Sequence, residues 1–276
     1  MQERTIAAAG VTLAVSDDGD REGVPVVLAH GLASTRRYVV MGSSGLQRAG
    51  HRVVSYDARG HGSSSPAPSP AAYGYDDLSA DLLALLDELE IERAVLAGVS
   101  MGAHTILRVA LDVPERVAGV VVITPGYDPG DSQSGAVRLR RYDALAAGLR
   151  EGGVERYLEV YDVGRLPEAM RDSVATFVRQ SMSRHEHPEA VADALQAVSR
   201  SRPFEDLHAL ESIECPAVGV ASRDEADPGH PLALGELYAE LLPAGRLVVE
   251  DEGRSPLAWQ GGRVSKLIAQ LAAEAW

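Results

Sequence analysis

Cys215 is the only cysteine in 276 residues. No disulfide can form within the chain, and no cysteine cluster can hold a metal. Lysine is almost missing as well. Lys266 stands alone, and arginine supplies nearly all the positive charge, a compositional bias rather than a functional signal. Acidic residues outnumber basic ones by 40 to 26, for a formal charge of −14 and a pI of about 5.0. That balance argues against nucleic acid or an anionic membrane as a partner. No apolar run approaches the roughly 20 residues of a membrane helix. No apolar leader follows Met1-Gln2-Glu3-Arg4, and there is neither an internal repeat nor a long low-complexity tract. The expectation is a cytoplasmic protein acting on a small molecule, with no cofactor and no metal.

What is present is an alternation of apolar strands and amphipathic helices. Pro25–Ala29, Arg52–Tyr56, Ala94–Ala97, Val117–Thr124, Ala217–Ala221 and Arg246–Glu250 read as strands. The unbroken apolar runs among them indicate strands buried on both faces. Two short strands around Gly10 precede them, followed by a turn at Asp17–Asp20. Helical spacing falls at about Arg37–Ala49, at Tyr75–Leu89, after Ser100, at Pro231–Leu242 and at Leu257–Ala275. The Tyr75–Leu89 helix carries Leu78, Leu82, Leu85, Leu86 and Leu89 on one stripe. This predicts an α/β fold with a mostly parallel eight-stranded sheet and helices on both faces. From 128 to 212 only helical periodicity remains, which predicts an α-helical cap inserted after the sixth strand. The core is then split into 1–127 and 213–276.

The organising stretch is Gly98-Val99-Ser100-Met101-Gly102, set between a strand and a helix. Gly-x-Ser-x-Gly in that setting is a nucleophile elbow, a sharp turn that lifts a serine hydroxyl clear of the sheet. Ligands of such sheets sit at the carboxyl ends of the strands. His30, Asp57, Ser100, Asp128, Asp224 and Arg254 all fall there.

With these motifs the chain resembles the α/β-hydrolase superfamily, in particular its capped bacterial esterases and lactonases. His30-Gly31 matches the oxyanion loop, Asp57-Ala58-Arg59-Gly60-His61-Gly62-Ser63 the family's Asp-x-Arg-Gly-x-Gly loop, and Asp224 the triad acid. The resemblance implies Ser100 as nucleophile and the Leu32 and Met101 N–H groups as oxyanion hole, with no metal. It implies a base in the loop after the last strand, but there the sequence reads Glu252-Gly253-Arg254-Ser255-Pro256. An arginine keeps its proton and has no acceptor lone pair, so Arg254 cannot be a general base. It could instead contact Asp224 or an anionic substrate.

The best replacement is His230, in the stiff loop Pro228-Gly229-His230-Pro231 after the acid strand, with Asp224 or Asp227 to orient it. The plainer reading is a helix-start residue. His61 and His30 read as loop-ordering groups and His104 as a packed residue. His51, His185, His187 and His208 read as surface or helix-end residues, and Asp128 as a turn residue before Pro129-Gly130. Three functions follow: a serine hydrolase on a small ester, lactone or thioester; a lyase-like or cyclase-like enzyme using Arg254; or a binding protein that kept the pocket.

Overall fold

The computed structural model describes residues 2–130, 132–223 and 229–276. Asp224 and Asp227, the expected acid and its alternative, lie outside the described residues.

Among the described residues, eight strands form one sheet. In chain order they are β1 (Gln2–Ala8), β2 (Val11–Gly19), β3 (Pro25–Ala29), β4 (Arg52–Tyr56), β5 (Ala94–Val99), β6 (Val117–Ile123), β7 (Ala217–Ala221) and β8 (Gly245–Val249). Their spatial order is β1-β2-β4-β3-β5-β6-β7-β8. β1 pairs antiparallel with β2 and β2 with β4; the other pairs are parallel. The expected mostly parallel sheet is the observed one.

The helices are α1 (Gly45–Arg48), α2 (Tyr75–Glu88), α3 (Met101–Asp112), α4 (Ser132–Tyr161), α5 (Glu168–Met182), α6 (Pro188–Arg200), α7 (Leu232–Leu241) and α8 (Gly261–Ala275). Successive strand residues point to opposite faces, so an all-apolar strand feeds two cores at once. Val27, Ala29 and Leu96 join the α2/α3 core, where the leucine stripe of α2 is fully buried. Val26, Leu28, Val95 and Ala97 join the core under α8. Helices α4, α5 and α6 build a third core of their own between β6 and β7, around Leu145, Leu149, Val178 and Leu195. No helix among the described residues is long and apolar enough to cross a membrane.

Two expectations are corrected. Asp17–Gly19 is not a turn but the end of β2, paired with β4. Asp17 is a poor strand former, yet its buried carboxylate takes Arg4 at 2.9 Å and Arg52 at 3.0 and 3.1 Å. Those charge-assisted bonds outweigh local propensity. The helix expected over Arg37–Ala49 is broken into a single turn at Arg36–Tyr38 and the four-residue α1. Met41 and Gly42, at φ 49° and 73°, lie in the left-handed region and stop it. The break borders a cavity of about 450 Å³ lined by Thr35, Arg36, Gln47 and Ser55.

The Asp57–Ser63 loop is locked from below. Arg59 and Asp81, each 1% exposed, form a two-pronged ion pair with both bonds 2.7 Å long. Arg59 also donates to the Ala72 and Ala9 carbonyls. Asp57 accepts the Arg36 N–H at 2.8 Å and the Ser63 N–H at 3.1 Å. A buried charge needs this degree of satisfaction to be tolerated.

Candidate active site

Ser100 stands between β5 and α3 at φ 48° and ψ −108°, a conformation unfavourable for a residue with a Cβ. Its N–H donates to the Ile123 carbonyl at 2.9 Å, and its carbonyl accepts the His104 N–H at 3.1 Å. The flanking glycines are steric requirements. A Cβ on Gly98 would stand 2.3 Å from the Gly102 carbonyl oxygen, and one on Gly102 would stand 2.2 Å from that of Ala29.

Beside the elbow lies the turn Gly31–Ser34. A Cβ on Gly31 would be 3.7 Å from that of Ser100. Ala33 adopts φ 56°, and Ser34 donates back to the Gly31 carbonyl at 3.1 Å. Imidazoles hold this turn in place. His30 accepts the Ala58 N–H at Nε2 (2.9 Å), which leaves its Nδ1–H to donate to the Gly31 carbonyl at 2.7 Å. His61 accepts the Ala33 N–H at Nε2 (3.2 Å) and donates from Nδ1 to the Arg59 carbonyl. His185, from the helical insertion, accepts the Gly62 N–H at Nδ1 (2.8 Å). Ala33 and Ser34 have thus spent their N–H groups, whereas the Leu32 N–H has no partner among the described residues. Met101 opens α3, so its N–H has no intrahelical acceptor.

The rings of His30, His61 and His185 follow one another at 5.1 and 5.6 Å between centroids. Burial, then the neighbouring His61, pushes His30 down to about 3. Burial followed by His61 and His30 does the same to His185, and burial lowers His61. All three are neutral at pH 7 and serve as fixed donors and acceptors. His185 and His51 are buried, not the surface residues the sequence suggested. His187 is half-buried and His208 exposed, as expected of helix-end and surface positions. The Asp128 carboxylate caps its own turn by accepting the Gly130 N–H at 2.8 Å.

Ser100 and His230 are brought together across 130 residues of sequence: His230 Nε2 lies 2.9 Å from Ser100 Oγ. His230 sits just before α7 and is half-buried. Arg254 lies on an exposed loop, where its N–H closes a turn onto the Asp251 carbonyl. Its side chain has no ion pair among the described residues.

Sequence reasoning missed Gly126. A Cβ there would come within 2.9 Å of His230 Cδ2, so a glycine is what leaves room for the imidazole just past β6. The Gly126 N–H donates to His104 Nε2 at 3.2 Å, and His104 Nδ1 meets the Tyr75 hydroxyl at 3.1 Å. Burial, then the charge of His230, takes His104 down to about 3, so it too is neutral. The only signal in the sequence is a glycine just past a strand end. Gly126→Ala is expected to displace the His230 ring and lower kcat about tenfold or more, since small misplacements of reacting groups cost that much. Steady-state kinetics beside a thermal melt checks this: a Tm fall without a kcat loss would assign Gly126 to folding alone.

The comparisons with known proteins agree with the fold. A family profile described as alpha/beta hydrolase fold matches residues 24–189, more than half of the chain. It contains the elbow and stops short of His230. Over 209 residues the chain is 30% identical to "Putative carbamate hydrolase RutD" of Variovorax paradoxus, covering 75% of this chain and 76% of that one. It is 32% identical to a 2-hydroxy-6-oxononadienedioate/2-hydroxy-6-oxononatrienedioate hydrolase of Paraburkholderia phymatum, over 72% of this chain and 70% of that one. Among solved structures, a malate-bound thermophilic esterase from Thermogutta terrifontis superposes with a TM-score of 0.80 at 25% identity, covering 100% of this chain and 99% of that one. Sheet order, elbow and sequence relationship together establish that the chain belongs to the α/β-hydrolase family and is a hydrolase of that fold.

Proposed function

We propose that the protein is a serine hydrolase that cleaves a small carboxylic ester, lactone or thioester through an acyl-enzyme on Ser100, with His230 as base. The 2.9 Å approach of His230 Nε2 to Ser100 Oγ carries the reading. A serine hydroxyl is a poor nucleophile until a neighbouring base takes its proton. His230 accepts that proton as Ser100 Oγ attacks the carbonyl carbon, and the carbonyl oxygen becomes an oxyanion. The N–H groups of Leu32 and Met101 stabilise it. His230 then returns the proton to the leaving oxygen or sulfur, and the acyl group stays on Ser100. Water, deprotonated by the same imidazole, releases the acid and restores the serine. Asp224, three positions after β7 in sequence, is the proposed acid that fixes the imidazole tautomer. The helical insertion over 128–212 acts as the cap that bounds the substrate pocket.

The test is intact mass after exposure to a fluorophosphonate. A single adduct on Ser100, lost in His230→Ala, is the expected result. An adduct that persists in His230→Ala moves the base elsewhere. A folded wild-type protein that takes up no label overturns the serine-hydrolase reading.

A further inference from the structure

The insertion carries Arg138, Arg140 and Arg141 with acids interleaved along it, which in sequence reads as a solvated helical surface. The structure separates them. Arg140 and Arg141 are exposed, and Arg141 lies over the Tyr161 ring at 5.4 Å. Arg138 instead shares a stripe with Tyr142, Leu145 and Leu149, the i, i+4, i+7, i+11 face that α4 turns inward. It is half-buried, and its Nη1 donates to the Gly126 carbonyl at 3.2 Å. Gly126 is also the residue against which the His230 ring lies. The Arg138 guanidinium is therefore one backbone group away from the proposed base.

Its electrostatic situation is unusual for this chain. Arg36, Arg52, Arg59 and Arg108, all buried or half-buried, each hold a carboxylate. Arg138 has no ion pair among the described residues. Of the described acids on either side of it in sequence, Asp143 is taken by Gln196 and Arg200, and Asp128 accepts the Gly130 N–H at 2.8 Å. The groups it acts on are mainly aromatic, and Asp128 acts on two of the same hydroxyls, those of Tyr127 and Tyr238. Its charge is felt by the hydroxyls of Tyr75, Tyr127 and Tyr238 and by the uncharged His104. Among the described residues its one hydrogen-bond partner is a carbonyl, and the fork that fits a carboxylate meets no anion. Withdrawing an arginine from water without a counter-charge is costly, and an anionic ligand repays that cost where a neutral one does not.

We infer that Arg138 is the specificity residue for a carboxylate carried by the substrate, so that the preferred substrate is a monoester, lactone or thioester of a dicarboxylic acid. This rests on the serine-hydrolase reading for the reacting group, but the binding claim can be tested without it. The experiment compares kcat/KM for the monomethyl esters of succinate, glutarate and adipate with those for methyl butyrate, pentanoate and hexanoate, followed by proton release. Wild type is expected to prefer at least one charged ester over its neutral partner by about tenfold or more, the range of a charge-assisted pair shielded from water. Arg138→Gln keeps a donor for Gly126 and loses the charge, and should abolish the preference through KM. Arg138→Lys should keep part of it. Because the readout is a ratio, a general loss of activity does not mimic the result.

A wild type with no preference, or an Arg138→Gln enzyme that retains it, overturns the proposal. If wild type hydrolyses none of these esters, the reaction reading fails, and calorimetric titration with the three free dicarboxylates decides the binding claim alone. Binding to wild type that weakens about tenfold in Arg138→Gln supports it. No binding to wild type overturns it.

Discussion

His230→Ala is expected to lower kcat on a simple ester about 10⁴-fold while leaving the melting temperature nearly unchanged. The residue is half-buried at a helix start and contributes little to any of the three cores, so its loss is chemical rather than structural. Ser100→Ala should fall to a similar floor. The double variant should fall no further, because nucleophile and base act as one unit whose deletions do not add. What survives is the background supplied by the oxyanion donors and by substrate positioning. Arg254→Ala, altered at the position where the family usually places its histidine, should leave kcat nearly where it was. Stopped assays on the four proteins, each checked by circular dichroism, decide the matter. A loss below tenfold for His230→Ala would remove the imidazole from the mechanism, and a large loss for Arg254→Ala would return that loop to it.

The second large effect is on stability. Folding holds His30, His104 and His185 neutral down to about pH 3, through burial first and neighbouring imidazoles or cations second. In the unfolded chain each titrates near 6.5. Between those values the unfolded state binds more protons, so stability must fall as pH drops through 6.5 and continue to fall toward 3. At pH 5 the ceiling is about 2 kcal/mol for each imidazole, which in sum is comparable with the entire stability of many domains. The urea midpoint should therefore drop steeply between about pH 7.5 and pH 5, before most carboxylates begin to titrate. His185→Asn, which keeps an acceptor near the Gly62 N–H and cannot be protonated, should flatten that slope. A midpoint independent of pH over this range would show that these rings are protonated as readily in the native protein as in the unfolded one.

The parts of the molecule that were legible in sequence are those whose signal is local. The elbow is written in five consecutive residues, because its strained turn needs small neighbours on both sides of Ser100. The leucine stripe of α2 and the all-apolar β5 and β6 follow from short-range periodicity, as does the helical stretch between β6 and β7. What could not be read is set by tertiary proximity. The interruption of Arg37–Ala49 does have a local signal, Gly42-Ser43-Ser44-Gly45, which the helical spacing on either side outweighs in a reading by periodicity. The inward turn of Arg138 depends on which face of α4 meets the core. Gly126 gains its importance only from the imbalance of space around the His230 ring. In sequence His230 is marked only by loop stiffness and strand-end position, and its 2.9 Å approach to Ser100 is a relation no spacing rule contains.

The helical insertion is hydrogen-bonded to the core beside the Gly31–Ser34 turn. His185 accepts from Gly62, Glu186 donates to the Gly62 carbonyl, and the Ser181 hydroxyl donates to the carbonyl of Ala33. These bonds join the end of α5 and the segment after it directly to Gly62 and Ala33, and Ala33 is the residue next to Leu32. The position of the proposed oxyanion donor is therefore set in part by a segment more than 140 residues away in sequence.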